Sequence, residues 1–125
     1  MFFGDSKLLS IDLSSFDSSN VLSMFIMFQG CSSLNVLDLS NFDTSHVTYM
    51  DGIFAKCSNL TYLDISGFSN QSIKDEINYI FSEGTQNGTI LYNSDLFNPK
   101  LIDIYFEYWE KIDVSSDLNL QKDIF

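Results

Sequence analysis

Three aspartates recur at intervals of 26 residues, where their carboxylates could bind a cation or a basic surface. Asp12, Asp38 and Asp64 each stand between two apolar residues. On adjacent parallel strands such carboxylates would lie about 4.8 Å apart. A column of this kind could bind calcium or a basic partner, or its members could be solvated and accept local hydrogen bonds.

Cys31 and Cys57 recur at the same interval and should be neighbours. Free thiols stacked in this way behave as small buried hydrophobic groups, and we expect this state. A disulfide would require alpha carbons within about 4.4–6.8 Å. His46 is the only histidine and is expected to be exposed, so the cysteines lack companions for a metal site. No cofactor is predicted.

An enzyme would need a nucleophile, a base and a means of stabilising charge. The chain has no arginine, and it has neither a glycine-rich phosphate loop nor a serine-elbow motif. Its net charge of −11 disfavours nucleic acid and anionic lipid as partners. No apolar run approaches the roughly 18–20 residues that span a bilayer. The sequence therefore predicts a non-enzymatic chain that neither binds nucleic acid nor inserts directly into a membrane.

A gapless internal repeat sets these intervals. Residues 1–24, 27–50 and 53–76 align at an offset of 26 and are called units 1, 2 and 3. Apolar identity persists in five columns while the residues between them vary, as expected for side chains stacked in a shared core. The columns are Leu8, Leu34 and Leu60; Ile11, Leu37 and Leu63; Leu13, Leu39 and Ile65; Phe16, Phe42 and Phe68; and Val21, Val47 and Ile73.

The apolar period changes within each unit. Around Leu37, Asp38 and Leu39 it alternates, which predicts a strand with the leucines inside. From Val47 to Phe54 it becomes helical, with Ser45 as a plausible N-cap. The fold class predicted is an α/β repeat solenoid of the leucine-rich kind, with short parallel strands on one face, helices on the other and a C-terminal helical cap.

The array is expected to end in two steps. Residues 1–92 form the solenoid, with a helical face at 73–81 that Gly84 ends, a turn at Asn87-Gly88 and a degenerate fourth strand at 89–92. Residues 93–125 form a cap helix and tail, in which Asn98 and Pro99 begin a helix that reaches Ile112 and buries Trp109. Unit 1 has no cap, so we expect either a longer parent array or self-association through this open end.

The sequence resembles the BspA-like leucine-rich-repeat family of surface proteins. The order of Met-Phe, Gly-Cys-Ser-Ser-Leu, Leu-Asp-Leu-Ser and Phe-Asp-Thr-Ser in unit 2 carries the resemblance, which covers residues 1 to about 76. Asp5 replaces Cys in unit 1, and unit 3 lacks Phe-Asp-Thr-Ser. The resemblance implies a cell-surface or secreted location, with adhesion or binding to a host or matrix protein.

The solvent face of the strands is the candidate site for a protein partner. Repeat proteins commonly bind through this extended surface. Tyr62 is its best anchor, and the other partner-binding residues predicted are Asp12, Asp38, Asp64, Val36, Ser40 and Ser66. The alternative is a structural spacer or scaffold that projects another domain and has no specific ligand. Asn-x-Ser/Thr sequons occur at Asn59, Asn70 and Asn87, and such triplets often arise by chance.

Overall fold

The structure is a computed structural model that describes residues 2–73, 80–81, 84 and 87–115. It contains strands β1 (Val36–Asp38), β2 (Tyr62–Asp64), β3 (Thr89–Tyr92) and β4 (Glu110–Asp113), with helix α1 (Pro99–Tyr105) between the last two. All neighbouring strands pair in parallel, in the order β1-β2-β3-β4. Each strand thus lies beside the next one along the chain, in a repeat-like α/β arrangement.

The strand register follows the sequence alignment. Leu37 pairs with Leu63, and Leu63 pairs with Ile90, so the offset is 26 residues and then 27. These three side chains are fully buried, whereas Val36 and Asp38 on either side of Leu37 are exposed. The predicted strands of units 2 and 3 and the predicted strand at 89–92 are therefore confirmed. Residues 10–12 of unit 1 form no strand.

The helix predicted from Val47 to Phe54 is wrong, because this segment consists of turns. In an α-helix the Phe54 N–H would bond within its own segment, but here it donates to Ile80 O over 2.9 Å. Turns close between these cross-unit bonds, as where Ala55 donates to Gly52 O over 3.1 Å. Unit 1 bonds to unit 2 in the same way, and the Phe28 N–H reaches Ile53 O over 3.0 Å. Val47 and Phe54 are nevertheless fully buried.

Stacked phenylalanines form the centre of the core. One column joins Phe2, Phe28 and Phe54, with ring centroids 5.4 and 6.1 Å apart. A second joins Phe16, Phe42 and Phe68, at 5.4 and 6.4 Å. Phe54 and Phe68 connect the two columns at 6.3 Å. The core is therefore continuous across the three units.

Buried hydroxyl groups also join successive units. Thr44 Oγ1 donates to Ser69 O over 3.0 Å and accepts from the Ser69 N–H over 2.7 Å. Ser18 makes the same pair of bonds to Asp43, at 3.3 and 2.8 Å. Every buried side-chain nitrogen and oxygen in the described part of the chain has a hydrogen-bond partner. These bonds satisfy backbone groups that would otherwise be costly to bury.

Left-handed backbone conformations recur in two columns. The first contains Gly4, Gly30 and Lys56, at φ 73°, 80° and 60°. The second contains Ile26 and Gly52, at φ 50° and 67°. Glycine adopts this conformation freely, whereas other residues pay for it sterically. Lys56 and Ile26 therefore hold strain where a neighbouring unit has glycine.

Replacing Lys56 with glycine should stabilise the chain by about 0.5–1 kcal/mol, because relief of roughly 1–2 kcal/mol of strain exceeds the added entropy of the unfolded state. Lys56 is exposed, so little packing is lost. Chemical denaturation measures the change. Lys56→Ala is the control, since it removes the charge but keeps the Cβ atom. An equal gain in both variants would contradict the role of strain.

The C-terminal elements differ in part from the prediction. Asn98 caps α1 by accepting the Lys100 N–H, and Pro99 occupies the first turn, as expected. The helix ends after Tyr105, however, and Ile112 belongs to β4 rather than to the helix. The predicted helical face at 73–81 lies largely outside the described residues, as does the tail after Ser115.

Trp109 is buried, as predicted, against Phe81 and Phe106, with ring centroids 5.0 and 5.3 Å away. Neither Gly84 nor Gly88 adopts the left-handed conformation, so the predicted roles of these glycines in a helix end and a turn are wrong. Gly88 is needed for space instead. A Cβ atom there would lie 2.7 Å from both Thr61 O and the Trp109 ring.

Candidate binding face on the strands

The sheet brings the predicted binding residues of units 2 and 3 together. Val36 pairs with Tyr62 and Asp38 with Asp64 in the parallel register. Val36 is 53% exposed, and Tyr62 and Asp64 are half-buried. The face thus combines an accessible apolar side chain, a phenol and two carboxylates.

The remaining predicted residues flank this pair of strands. Ser40 is exposed and Ser66 half-buried, and each directly follows the inward residue at the end of its strand. Asp12 is exposed in unit 1, where no strand forms. The structure therefore supports a compact two-strand face more directly than the three-residue aspartate column expected from the sequence.

The aspartates of the column have a local structural role. Oδ1 of Asp12, Asp38 and Asp64 accepts the N–H of the serine two residues later, at 3.0, 2.9 and 3.0 Å. This geometry is an Asx turn, which directs the chain out of the strand. The same bond recurs at Asp17, Asp43 and Asp113. An Asp-x-Ser triplet at each site is the sequence signal that the analysis of columns missed.

Hydrogen bonds favour the ionised form of several of these carboxylates. The hydroxyl and then the backbone N–H of Ser14 lower the pKa of Asp12, and Ser19 has the same effect on Asp17. A carboxyl group whose pKa is lowered by folding stabilises the fold above its unfolded pKa near 3.8. That contribution is lost as the pH falls through the folded value.

The Tyr62 phenol lies in the field of the neighbouring carboxylates. Burial, followed by the charges of Asp64 and Asp38, raises the pKa of Tyr62. The phenol therefore remains a neutral hydrogen-bond donor at physiological pH. Such a group beside carboxylates suits contact with a polar or basic protein surface.

The calcium alternative receives no support from the geometry. Among the described residues, no three His, Cys, Asp or Glu side chains form an arrangement that could hold a metal ion. His46 is exposed, as predicted, and its Nδ1 lies 3.2 Å from Ser19 O and 3.3 Å from Ser45 Oγ. Ser45 caps no helix, since turns follow it.

Cys31 and Cys57 are both free and buried. Their thiols donate to Phe2 O and Phe28 O over 3.1 and 3.2 Å. Burial raises the pKa of Cys57 to about 12 and also raises that of Cys31. The favoured expectation of stacked free thiols is thus confirmed, and the disulfide alternative is not.

We expect native Cys57 to resist thiol-directed reagents at pH 8, because only the thiolate reacts. Its pKa is about 12 when folded and 9.0 as the unperturbed value. Stability should therefore be present in full below pH 9 and fall as the pH rises toward 12. Denaturation at pH 8 and pH 10.5 tests this dependence. Cys57→Ala should lose less stability than the parent over that interval, and equal losses would contradict the assignment.

In the described part of the chain, no helix is long and apolar enough to cross a membrane. Comparison with known proteins places the geometry in a family. The family model described as "Mycoplasma protein of unknown function, DUF285" matches residues 1–108. No curated protein and no solved structure matches the chain.

Proposed function

The chain belongs to the DUF285 family, and we propose that it is a non-catalytic protein-binding or adhesion module that uses the solvent face of β1 and β2. Its repeat-like stacking supports a leucine-rich-repeat solenoid of the BspA-like type. The proposed location is the cell surface or the secreted fraction, by resemblance to that family of surface proteins.

The single observation that carries the proposal is the exposure of Val36 beside Tyr62. Val36 is 53% exposed at the centre of an ordered strand and next to a half-buried aromatic ring. Aromatic side chains with an apolar body and a polar tip are common anchors of protein interfaces. The adjoining Asp38 and Asp64 would add electrostatic selection for a partner with basic groups. A host or matrix protein is the partner class proposed.

The Asx turns favour a second candidate, a structural spacer or scaffold. They explain the recurrence of Asp12, Asp38 and Asp64 through local hydrogen bonds, without any ligand. Under this alternative the carboxylates stabilise turns, and their charge serves only solubility. The two functions differ in what happens when the charge is removed but the turn is retained.

Asparagine substitution makes that separation, because its side-chain oxygen can still accept the serine N–H. The triple variant Asp38→Asn, Asp64→Asn and Tyr62→Ala should bind purified matrix proteins at least about tenfold more weakly than the parent, as expected when an interface anchor is lost. Surface plasmon resonance at physiological salt measures the affinity. The fold is monitored by circular dichroism.

The matched control is Asp17→Asn, Asp43→Asn and Tyr49→Ala. It removes the same charges from equivalent Asx turns. It also removes a tyrosine that is 48% exposed and lies outside the four strands. Binding by this control should match the parent. Equal weakening in both triple variants, or no binding by the parent to any matrix protein, would favour the spacer.

A further inference from the structure

Asn87 and Gly88 lie immediately before β3 in an unusual local setting. Asn87 is exposed. The carbonyl of Gly88 accepts the Glu110 N–H over 2.8 Å, and the next residue, Thr89, donates to Thr61 O over 2.9 Å. Among the described residues, no hydrogen bond engages the Gly88 N–H. The nucleophilic nitrogen next to an accessible side-chain amide is therefore uncommitted.

We propose that Asn87 is a site of spontaneous deamidation in the folded protein. The Gly88 nitrogen attacks Cγ of Asn87, the Cγ–Nδ2 bond breaks, and ammonia leaves with the proton that nitrogen gives up. The product is a five-membered succinimide. Water then adds to one of its two carbonyl carbons and opens the ring, which gives either isoaspartate or aspartate at position 87.

Glycine makes this reaction sterically easy, because it has no Cβ atom to hinder closure of the ring. The other asparagines of the described part are less favourable. Ser94, which follows Asn93, donates its N–H to Asp113 Oδ1 over 3.1 Å. The rest are followed by a bulkier side chain or by proline, at Asn20, Asn35, Asn41, Asn59, Asn70 and Asn98.

The fold fixes glycine at the reactive position. A Cβ atom on residue 88 would lie 2.7 Å from Thr61 O and 2.7 Å from the Trp109 ring. Substitution of Gly88 would therefore relieve the chemical lability only by disturbing the contact between β2, β3 and β4. This glycine serves the packing, and the neighbouring amide becomes reactive as a consequence.

The two products should differ in their effect on the fold. Aspartate keeps the normal backbone and adds one charge at an exposed position. Isoaspartate adds a methylene to the main chain next to Gly88, where backbone bonds to Thr61 and Glu110 are set. We expect the isoaspartate form to unfold at lower denaturant concentration than the aspartate form.

The test is incubation of the intact purified chain at pH 8 and 37 °C, a condition chosen for the assay. Peptide mass spectrometry locates deamidation, and enzymatic methylation of isoaspartate distinguishes the products. Asn87 should deamidate at least about tenfold faster than Asn93, the steric advantage of glycine. Asn87→Gln should abolish the early signal, and Asn87→Asp should match the aspartate product in stability.

A chain fully unfolded in denaturant provides the reference. Retention of the amide at Asn87 in the folded chain, together with its rapid loss in the unfolded chain, would overturn the proposal by showing that the fold protects this site. Equal rates at Asn87 and Asn93 in the folded chain would also overturn it. The outcome is independent of the proposed partner-binding function, because neither residue belongs to the face formed by β1 and β2.

Discussion

Replacing Phe54 with alanine should remove about 3–5 kcal/mol of the free energy of unfolding, a large share of the roughly 5–15 kcal/mol typical of a domain. Phe54 is fully buried and contacts one ring in each phenylalanine column. Its loss would create a cavity where the two columns meet. Urea denaturation, with the slope compared between variants, measures the change.

Phe3→Ala is the matched control. Phe3 is 59% exposed, so the same chemical change should alter stability by no more than about 0.5 kcal/mol. Comparable losses at both positions would show that the aromatic columns are not the main source of cohesion. A small loss at Phe54 alone would show that the core collapses around the missing ring.

Thr44→Val should have the second-largest effect. Valine has nearly the same shape, but it can neither donate to Ser69 O nor accept the Ser69 N–H, and both threonine and serine are buried. Two backbone groups would be left unpaired, at a cost of about 1–3 kcal/mol each. Chemical denaturation should therefore show a loss of about 2–5 kcal/mol.

Thr48→Val controls for the substitution itself. Thr48 is half-buried, its hydroxyl donates to Leu22 O over 3.2 Å, and its own N–H also bonds to that carbonyl. Valine keeps the backbone bond, so we expect a change below about 1 kcal/mol. Thr44→Val and Thr48→Val with equal stability would contradict the importance of the buried hydroxyl.

The apolar columns were predictable from sequence because a stacked core repeats its chemistry at each level. Leu37, Leu63 and Ile90 were matched before the structure, and their parallel register agrees with the alignment. The α1 start was also predictable, since an Asn-Pro pair combines a cap acceptor with a residue that needs no N–H. Local chemistry was sufficient in both cases.

The segment from Val47 to Phe54 was mispredicted because two structures share its burial pattern. A helix and a series of turns can both bury Val47, Met50, Ile53 and Phe54. Cross-unit hydrogen bonds decide between them, and single-sequence periodicity does not contain those partners. The left-handed Gly52 was the local warning, because glycine disfavours a helix interior.

The candidate site was only partly predictable. The exposure of Val36 and Asp38 followed from strand alternation, whereas the Asx turns required attention to the serine two residues later. β4 was missed because Trp109, Ile112 and the residues between them continue a helical spacing beyond the actual end of α1. Pairing with β3 outweighed that local pattern.

The constant spacing between units limits how chain length can change. Units 1, 2 and 3 align at 26 residues without gaps, and every aromatic column and buried hydroxyl bond depends on that spacing. A single-residue insertion inside unit 2 would shift one part of it out of register with both neighbours. Duplication of a whole unit would preserve each contact. Length variation should therefore accumulate either in whole units or after β2, where the pairing offset already changes from 27 to 21 residues.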